Sequence, residues 1–382
     1  MLSYLFVYLL LLFIPSQLGL HIWLDNLRVS GLKVDYLSLT IYFSHLLIFF
    51  ILLTNLPVLL NKVRKTKTRL LFFTTIASLN LMFSQNLLVS LYRWLEIYLL
   101  IFLYFVLTQV KVNSKKSFIF LFVGQIIVFL GQILQQFTQS SVQGIFYWLG
   151  ERQFDFYTPN IPKVIFRGYS FLRAPSTFSH ANSLAGFSLV LFFYYFTKKT
   201  PLFPKTISLL SIILTFSKNT FLGFAAFFIK NQSLKNVFFV TLLISFCLLL
   251  FPSSNRLPLT ISSRLSGYQQ SKQIIHQNFW FGVGFGGYTK ALELILPPSH
   301  VSLSNIQPVH NLFLLILSEF GIVGFLLLVA LLFSLNTSLL QNKLIFIVFA
   351  TGLFDHYWMT SLQNKIIFVV LLALFSVKYH HE

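Results

Sequence analysis

The chain has 382 residues, of which 56% are hydrophobic and only 10% are charged. A soluble domain carries roughly 25% charged residues, and it could not hide so much apolar surface in its core. This composition excludes a cytosolic enzyme, a secreted disulfide scaffold and a disordered chain, and it predicts a protein embedded in lipid. The single cysteine, Cys247, excludes an intrachain disulfide.

The net charge is +19, from 28 Lys and Arg residues against 9 Asp and Glu residues. In a soluble protein this excess would suggest nucleic acid as a partner. Here the cations stand in short connections between apolar runs, and no soluble basic domain carries them. Membrane topology and anionic ligands explain them better, so we expect no nucleic-acid partner.

Apolar runs predict an all-α integral membrane protein with about twelve transmembrane helices and one polytopic domain over residues 1–382. We interpret the first run as a membrane helix, because neither a basic segment nor a small-residue cleavage site marks a signal peptide. The seventh and eighth runs are too short to cross alone. They predict two half-depth helices that meet at the polar turn Ser217-Lys218-Asn219. The runs fall at about 2–22, 36–60, 70–88, 92–110, 117–137, 181–197, 205–217, 219–229, 236–251, 311–335, 342–358 and 365–378.

Basic residues in alternate connections predict the orientation. They cluster at 62–69, 111–116, 198–205 and 230–235. All four clusters fall on one side of the membrane if both termini lie there too, and the positive-inside rule makes that side cytoplasmic. We therefore expect a multi-pass protein of the cytoplasmic (inner) membrane with both termini in the cytoplasm.

Two long outer segments, about 138–180 and 252–310, are expected to form the active site. Both are rich in cations, which external loops usually avoid, so an anionic ligand explains the set better than chance does. For each residue taken singly, a solvated loop remains the alternative. The cations are Arg152, Lys163, Arg167 and Arg173 in the first segment, and Arg256, Arg264, Lys272 and Lys290 in the second.

The first outer segment ends at Arg173 to Asn182, where a membrane helix is expected to begin. Pro175 and the neighbouring Ser and Thr residues are typical of a loop that ends in a helix cap. Arg173 would then lie at the membrane surface near a helix N-terminus, which itself favours anions. The alternative is a snorkelling arginine beside a structural cap.

The second outer segment contains Gly282 to Gly287, which match the pattern G-x-G-x-x-G. A dinucleotide site would need a preceding strand and an acidic residue about 20 positions later, and neither is present. We therefore interpret these glycines as a tight turn close to the bilayer.

Four residues near the ends of late spans are candidates for chemistry. His310 could serve as a general base near neutral pH, although a hydrogen-bonded interfacial histidine is the alternative. Glu319, inside a predicted span, is either functional or part of a structural ion pair. Asp355 and His356 could orient one another or face the same cavity. We expect no metal, because His180, His300, His310 and His356 show no ligand spacing.

Four motifs, taken in this order, resemble the O-antigen ligase and O-antigen polymerase superfamily. They cover about 167–325. The first is the arginine loop and helix entry Arg173 to Asn182, with Ala181 where proline is usual. The second is the helix break Thr215-Phe216-Ser217-Lys218, in which Lys218 replaces the family's arginine. The third is Arg264, Trp280 and Gly282 to Gly287; the fourth is His310-Asn311 followed by Glu319 to Gly324.

The resemblance implies a polytopic, lipid-donor glycosyltransferase that works outside the cytoplasmic membrane without metal or another cofactor. The implied donor is a glycan on a polyprenyl (undecaprenyl) diphosphate. The implied acceptor is a hydroxyl on a lipid-linked sugar, a growing glycan or a protein. Arg173 and Arg264, with Arg167 and Lys218, would bind the diphosphate, and His310 would deprotonate the acceptor in an inverting reaction. Asn182, Asn311, Glu319, Asp355 and His356 would support them. Lysine at 218 lacks the bidentate fork of arginine.

Two other functions remain open from the sequence. A transporter or flippase of lipid-linked glycans would use the same cations and need no base. A non-catalytic subunit of an envelope assembly complex would tolerate substitution at Arg173, Arg264 and His310. Within the enzyme hypothesis, ligase, polymerase and protein O-glycosyltransferase differ only in the acceptor.

Overall fold

The computed structural model describes residues 2–159, 161–229, 233–250, 259–297, 301–303, 305–334 and 337–376. Arg256 and His300 lie outside these ranges, as does part of the second outer segment. The described chain is 68% helical, with 17 α-helices. This confirms the predicted all-α class. The sequence did not predict the two small antiparallel sheets that accompany the helices.

The α-helices, in chain order, are α1 (Leu2–Phe13), α2 (Phe43–Thr54), α3 (Leu56–Lys65), α4 (Lys67–Met82), α5 (Leu87–Leu107), α6 (Ser114–Thr138), α7 (Ile145–Trp148), α8 (Ala181–Thr197), α9 (Leu202–Leu214), α10 (Asn219–Phe228), α11 (Leu234–Leu248), α12 (Leu259–Gln277), α13 (Tyr288–Ile295), α14 (Leu312–Ser334), α15 (Leu339–Gly352), α16 (Tyr357–Thr360) and α17 (Leu362–Ser376). Strand β1 (Gly19–Ile22) pairs with β2 (Leu39–Tyr42), and β3 (Lys163–Phe166) pairs with β4 (Tyr169–Leu172). Two 3-10 helices, Asp25–Leu27 and Asp35–Leu37, lie between β1 and β2.

Among the described residues, three helices, α5, α6 and α14, are long and apolar enough to cross a membrane. The pair α2 and α3 gives a fourth candidate span, bent by 82°, if the two are counted together. The predicted count of about twelve spans is not confirmed, although each predicted apolar run contains a helix. Most of these helices are short of a full crossing. In the first run, for example, α1 stops at Phe13 before Pro15, and the chain continues into β1.

Two short helices, α9 and α10, of 13 and 10 residues, occupy the positions of the predicted half-depth pair. Thr215, Ser217 and Asn219 are buried at the turn between them, whereas Lys218 is exposed. Ser211 of α9 bonds Ser188 in the middle of α8, and Gly223 of α10 packs against Leu189. The two helices therefore both lie along α8 and run in opposite directions, and the turn between them lies near the first residues of α8.

Helix α8 lies at the centre of the bundle, packed against α9, α10, α15 and α17. Polar bonds between helices hold it in register: the amide of Gln132 on α6 bonds Ser211, which in turn bonds Ser188. The first residues of α8, α14 and α17 meet the ends of α9 and α15 at one end of the bundle. We call this the loop end, because the long connections between helices at this end contain α7, the β3–β4 hairpin, α12 and α13.

The described parts of the two predicted outer segments contain helices and a hairpin. The first contains α7 and the β3–β4 hairpin, and the buried carboxylate of Glu151 organises it by accepting bonds from Gln135 and from the Val142 amide. The hairpin turns at Arg167-Gly168, both with positive φ of 49° and 84°, as a two-residue hairpin turn requires. The second segment contains α12 and α13.

A cluster of buried charges joins α5 to α17. Glu96 lies between two cations, with Oε2 3.3 Å from Nη1 of Arg93 and Oε1 2.7 Å from Nζ of Lys365. All three side chains are at most 8% exposed. Arg93 also donates to the carbonyl of Tyr36 at 2.8 Å. We call Arg93, Glu96 and Lys365 the buried ion cluster; it holds the 23–42 segment against the helices.

Candidate active site

Arg173 lies immediately after β4, and two bonds fix its guanidinium. Nε donates to the carbonyl of Thr215 at 2.8 Å, and Nη2 donates to Oδ1 of Asn182 at 2.5 Å. The Thr215 carbonyl can accept because the helix breaks there and frees it from helical bonding. The arginine loop, the start of α8 and the α9–α10 turn therefore meet at one side chain.

Asn182 connects Arg173 to Asp355. Its Nδ2 donates to Oδ2 of Asp355 at 2.7 Å. Asp355, which is buried, also accepts the backbone N–H of His356 through Oδ1 at 2.8 Å. One amide thus connects a guanidinium on one side to a carboxylate on the other, and it fixes the orientation of both.

His310 lies beside this carboxylate at the entry to α14. Its Nδ1 is 3.7 Å from Oδ1 of Asp355, within ion-pair range but beyond a hydrogen bond. The rings of His310 and His356 stack with centroids 5.1 Å apart, and Nδ1 of His356 bonds the hydroxyl of Thr360 at 2.9 Å. About a third of the His310 side chain, 35%, is exposed, so a substrate can reach it. We call Arg173, Asn182, His310, Asp355 and His356 the Arg–His cluster.

The charges of the cluster follow from its surroundings. Burial alone would raise the pKa of Asp355, but the two histidines and the Asn182 amide hold it well below its usual range. Burial lowers the pKa of His356 to about 3, against the opposing effect of Asp355. Asp355 is therefore a carboxylate and His356 a neutral imidazole between pH 5 and 9. Neither group changes charge where a histidine base would operate.

Arg264 on α12 lies within electrostatic range of the cluster. Burial lowers the pKa of Arg173, the Asp355 carboxylate raises it, and the charge of Arg264 lowers it again. Arg264 and Asp355 also both act on Tyr268, one turn further along α12. Arg173 and Arg264 are thus close enough for their charges to interact, although 91 residues separate them in the sequence, from 173 to 264.

The other predicted anion-binding residues lie in different places. Lys218 is exposed in the α9–α10 turn, three residues after the Thr215 carbonyl that holds Arg173. Arg167 lies at the tip of the β3–β4 hairpin, six residues from Arg173, which is about 20 Å along an extended strand. The structure therefore brings Lys218 close to the Arg–His cluster and places Arg167 outside it. The predicted cap of α8 is also absent: its N-cap is His180, without a side-chain cap bond.

Asn311 and Glu319 support the site from within α14. Asn311 is fully buried, accepts the Leu314 amide as the helix cap and donates to the carbonyl of Leu353, next to the Asp355 segment. Glu319 lies about 13 Å further along the helix axis than His310, given nine residues at 1.5 Å each. Its Oε1 accepts from the Tyr36 hydroxyl at 2.8 Å and from the Tyr288 amide at 3.2 Å. Glu319 therefore belongs to a separate, structural set of contacts.

The glycine motif and the Glu-x-Gly motif form one structure. Helix α14 is interrupted at Gly321, and the segment 279–284 bonds the backbone that this break exposes. Val283 and Gly284 donate to the carbonyls of Ser318 and Glu319, while Ile322 and Val323 donate to the carbonyls of Phe279 and Trp280. We call this the glycine clasp. It confirms that the glycines permit a tight turn, and it connects the end of α12, the helix that carries Arg264, to the helix that follows His310.

Gly321→Ala is expected to break the clasp. Gly321 has φ 63° and ψ −177°, a conformation open almost only to glycine, and a Cβ would lie 2.5 Å from the Gly282 and Phe281 amides. We expect a loss of at least about 1–3 kcal/mol of stability, measured by thermal unfolding in detergent. Gly267→Ala on α12 is the control, since its Cβ would meet nothing within 4 Å. Equal stability of the two variants would contradict this account of the clasp.

Three groups of the cluster could also bind a metal ion. Ligand atoms of His310, Asp355 and His356 lie within 4.8 Å of one another. The spacing of these residues in the sequence did not indicate this group, because the fold brings together residues that are distant in sequence. Asp355 is, however, already bonded to Asn182 and to a backbone amide, and the nearby guanidiniums oppose a dication.

Sequence reasoning missed several residues that hold the site. Thr360 fixes the His356 ring, and Asn219 donates to the carbonyl of Phe354 beside Asp355. Their only sequence signals are the spacing of four residues from His356 and a position in the predicted polar turn. The pairing of Asn182 with Asp355 has no local signal.

Comparison with known proteins agrees with the motif analysis. Residues 173–329 match the model of the O-antigen ligase family, Wzy_C. The match begins at Arg173 and includes the α9–α10 turn, Arg264, His310 and the glycine clasp, whereas Asp355 and His356 lie beyond it. No curated protein matches the chain. The family model therefore confirms the resemblance: residues 173–329 of this membrane protein are similar to the O-antigen ligase family.

Proposed function

We propose that this chain is a membrane glycosyltransferase that moves a glycan from a polyprenyl diphosphate to an acceptor hydroxyl, in surface-polysaccharide ligation or polymerisation. The observation that carries the proposal is the Arg–His cluster: one line of contacts joins Arg173 through Asn182 to Asp355 beside His310. The loop end would face the outside of the cytoplasmic membrane, which leaves the basic connections at the opposite end in the cytoplasm. The acceptor would be a lipid, a glycan or a protein.

Arg173 and Arg264 would bind the donor diphosphate. Guanidiniums form paired bonds to phosphate oxygens and stabilise the charge that develops as the lipid diphosphate departs. Lys218, in the turn next to Arg173, would add a third positive charge without a bidentate contact. Arg167 is too far along the hairpin from Arg173 for us to include it in this contact.

His310 would act as the general base. The acceptor hydroxyl gives its proton to His310 while the hydroxyl oxygen attacks the anomeric carbon of the donor sugar. The bond from that carbon to the diphosphate oxygen breaks, and the electron pair leaves with the lipid diphosphate. Direct attack of this kind inverts the anomeric configuration. Asp355 lies close enough to His310 to stabilise the imidazolium that forms, and His356 is neutral and adds no opposing charge.

The test uses purified protein in liposomes with a polyprenyl-diphosphate glycan, with and without EDTA. We expect free lipid diphosphate to appear together with a larger or newly attached glycan, at the same rate in EDTA. A loss of activity in EDTA that added zinc restores would overturn the metal-independent step and point to His310, Asp355 and His356 as ligands. Movement of intact donor across the bilayer without release would favour the flippase instead.

Arg173→Lys is expected to lower the transfer rate about ten- to a hundredfold, because hydrogen bonds to charged groups contribute roughly 1.5–3 kcal/mol each. Lysine keeps the charge but cannot hold the Thr215 carbonyl, the Asn182 amide and a phosphate oxygen together. Initial rates of lipid diphosphate release measure the effect, and Arg152→Lys, at an exposed ion pair with Asp35, is the matched control. A wild-type rate in Arg173→Lys would contradict the bidentate role.

A further inference from the structure

Helix α3 is an amphipathic helix at the end of the bundle opposite the active site. Helix α4 connects the two ends: Asn80 in its last turn donates to the Glu319 carbonyl in the glycine clasp, and its 16 residues span about 24 Å. Ser3 at the start of α1 bonds Asn55 just before α3, which places the first residues of α1 at the same end. Helix α3 turns by 82° from α2, so it lies across the helix axes rather than along them.

The two faces of α3 differ in chemistry. Leu59 is buried against the helices beside it, and Leu56 and Leu60 on the same face are 44% and 57% exposed. Lys62, Arg64 and Lys65 occupy the other face in its last turns. A helix that crosses the bundle axis with exposed leucines on one face and cations on the other has the form of an interfacial membrane helix.

The basic charge continues into α4. Lys67 and Arg69 follow directly, so that five cations and no acidic residue stand between Leu56 and Arg69. Among the described residues, none of the five lies in an ion pair with a carboxylate. Clusters of four to eight basic residues beside a membrane helix attract anionic headgroups. The electrostatic potential of these headgroups decays within about 10 Å of the membrane surface.

We propose that the basic surface formed by Lys62, Arg64, Lys65, Lys67 and Arg69 binds anionic phospholipid headgroups of the bilayer that holds the protein. Leu56 and Leu60 would enter the acyl region, and the cations would contact phosphate groups at its edge. This binding site is independent of the glycosyltransferase site, which lies at the loop end.

The experiment compares lipid selectivity in purified protein. Wild-type protein is equilibrated with mixed micelles of phosphatidylglycerol and phosphatidylcholine, and the lipids retained are counted by native mass spectrometry. The test variant replaces Lys62, Arg64 and Lys65 by glutamine. The matched control replaces Lys111, Lys115 and Lys116, three exposed cations in another connection at the same end, by glutamine.

We expect wild type and control to prefer phosphatidylglycerol and the test variant to lose at least about fivefold of that preference, since each cation near an anionic surface contributes about that factor. Excess inorganic phosphate should not displace the lipid, because the leucines contribute to binding. Equal preference in test variant and wild type, or equal loss in both variants, would overturn the proposal. If the test variant fails to fold, the salt dependence of the wild type replaces it. A wild-type preference for phosphatidylglycerol that is the same at low and at high salt would also overturn the proposal.

Discussion

His310→Ala is expected to lower the rate of glycan transfer by about 10²–10⁴, the usual contribution of a general base. The acceptor hydroxyl would then have no group to take its proton, because Asp355 is bonded to Asn182 and His356 has a pKa of about 3. Donor binding should be retained, since the guanidiniums remain. The rate is measured as release of lipid diphosphate at saturating donor, and donor affinity is measured separately.

The matched control is His276→Ala, an exposed histidine at the end of α12. It should transfer at the wild-type rate. A second variant, Asp355→Asn, separates the base from its partner: transfer should fall, and the fall should be smaller than in His310→Ala. If His310→Ala turned over like wild type, the base assignment would be wrong. If it lost donor affinity together with rate, His310 would be a binding residue.

Glu96→Gln is expected to destabilise the protein by about 3–5 kcal/mol, because removing one partner of a buried ion pair leaves uncompensated charge. In the wild type, this single carboxylate contacts both Arg93 and Lys365. The variant would leave two buried cations without their anion. The midpoint of thermal unfolding in detergent measures the loss, which should exceed that of any exposed charge variant.

Asp25→Asn is the control for this prediction. Its ion pair with Arg28 is exposed, with 92% of the Asp25 side chain accessible, and exposed pairs contribute at most about 1 kcal/mol. A double variant, Glu96→Gln with Lys365→Met, should recover part of the loss, since it removes one of the two unpaired cations. Comparable unfolding midpoints for Glu96→Gln and Asp25→Asn would show that the buried ion cluster does not stabilise the fold.

The positions of the helices could be predicted from the sequence, whereas their lengths could not. Apolar runs identify where a helix exists, because hydrophobic residues must face lipid or the core. They do not show where it stops: Pro15 ends α1 within its run, and Asn55 marks the bend between α2 and α3. Counting runs therefore does not by itself establish the number of full crossings, and the predicted count of about twelve is not confirmed. The β3–β4 hairpin was not predicted because its strands have only four residues each and its sequence signal is a single two-residue turn, Arg167-Gly168.

The candidate site was predictable in its charged residues and not in their contacts. Arg173 and Arg264 were candidates because external loops of membrane proteins usually avoid cations. His310 was a candidate because an imidazole can act as a base near neutral pH. That Asn182 joins Arg173 to Asp355 could not be predicted, because the pairing spans 173 residues and depends on how α8 packs near α15. The glycine clasp likewise joins two motifs that the sequence presents separately.

The most direct test of the central claim is the stoichiometry of wild-type turnover. Purified protein in liposomes receives the polyprenyl-diphosphate glycan and an acceptor, and both the free lipid diphosphate and the new glycosidic bonds are counted. We expect one lipid diphosphate to be released for each bond formed, and no release without an acceptor. Translocation of intact donor with neither release nor bond formation would contradict it.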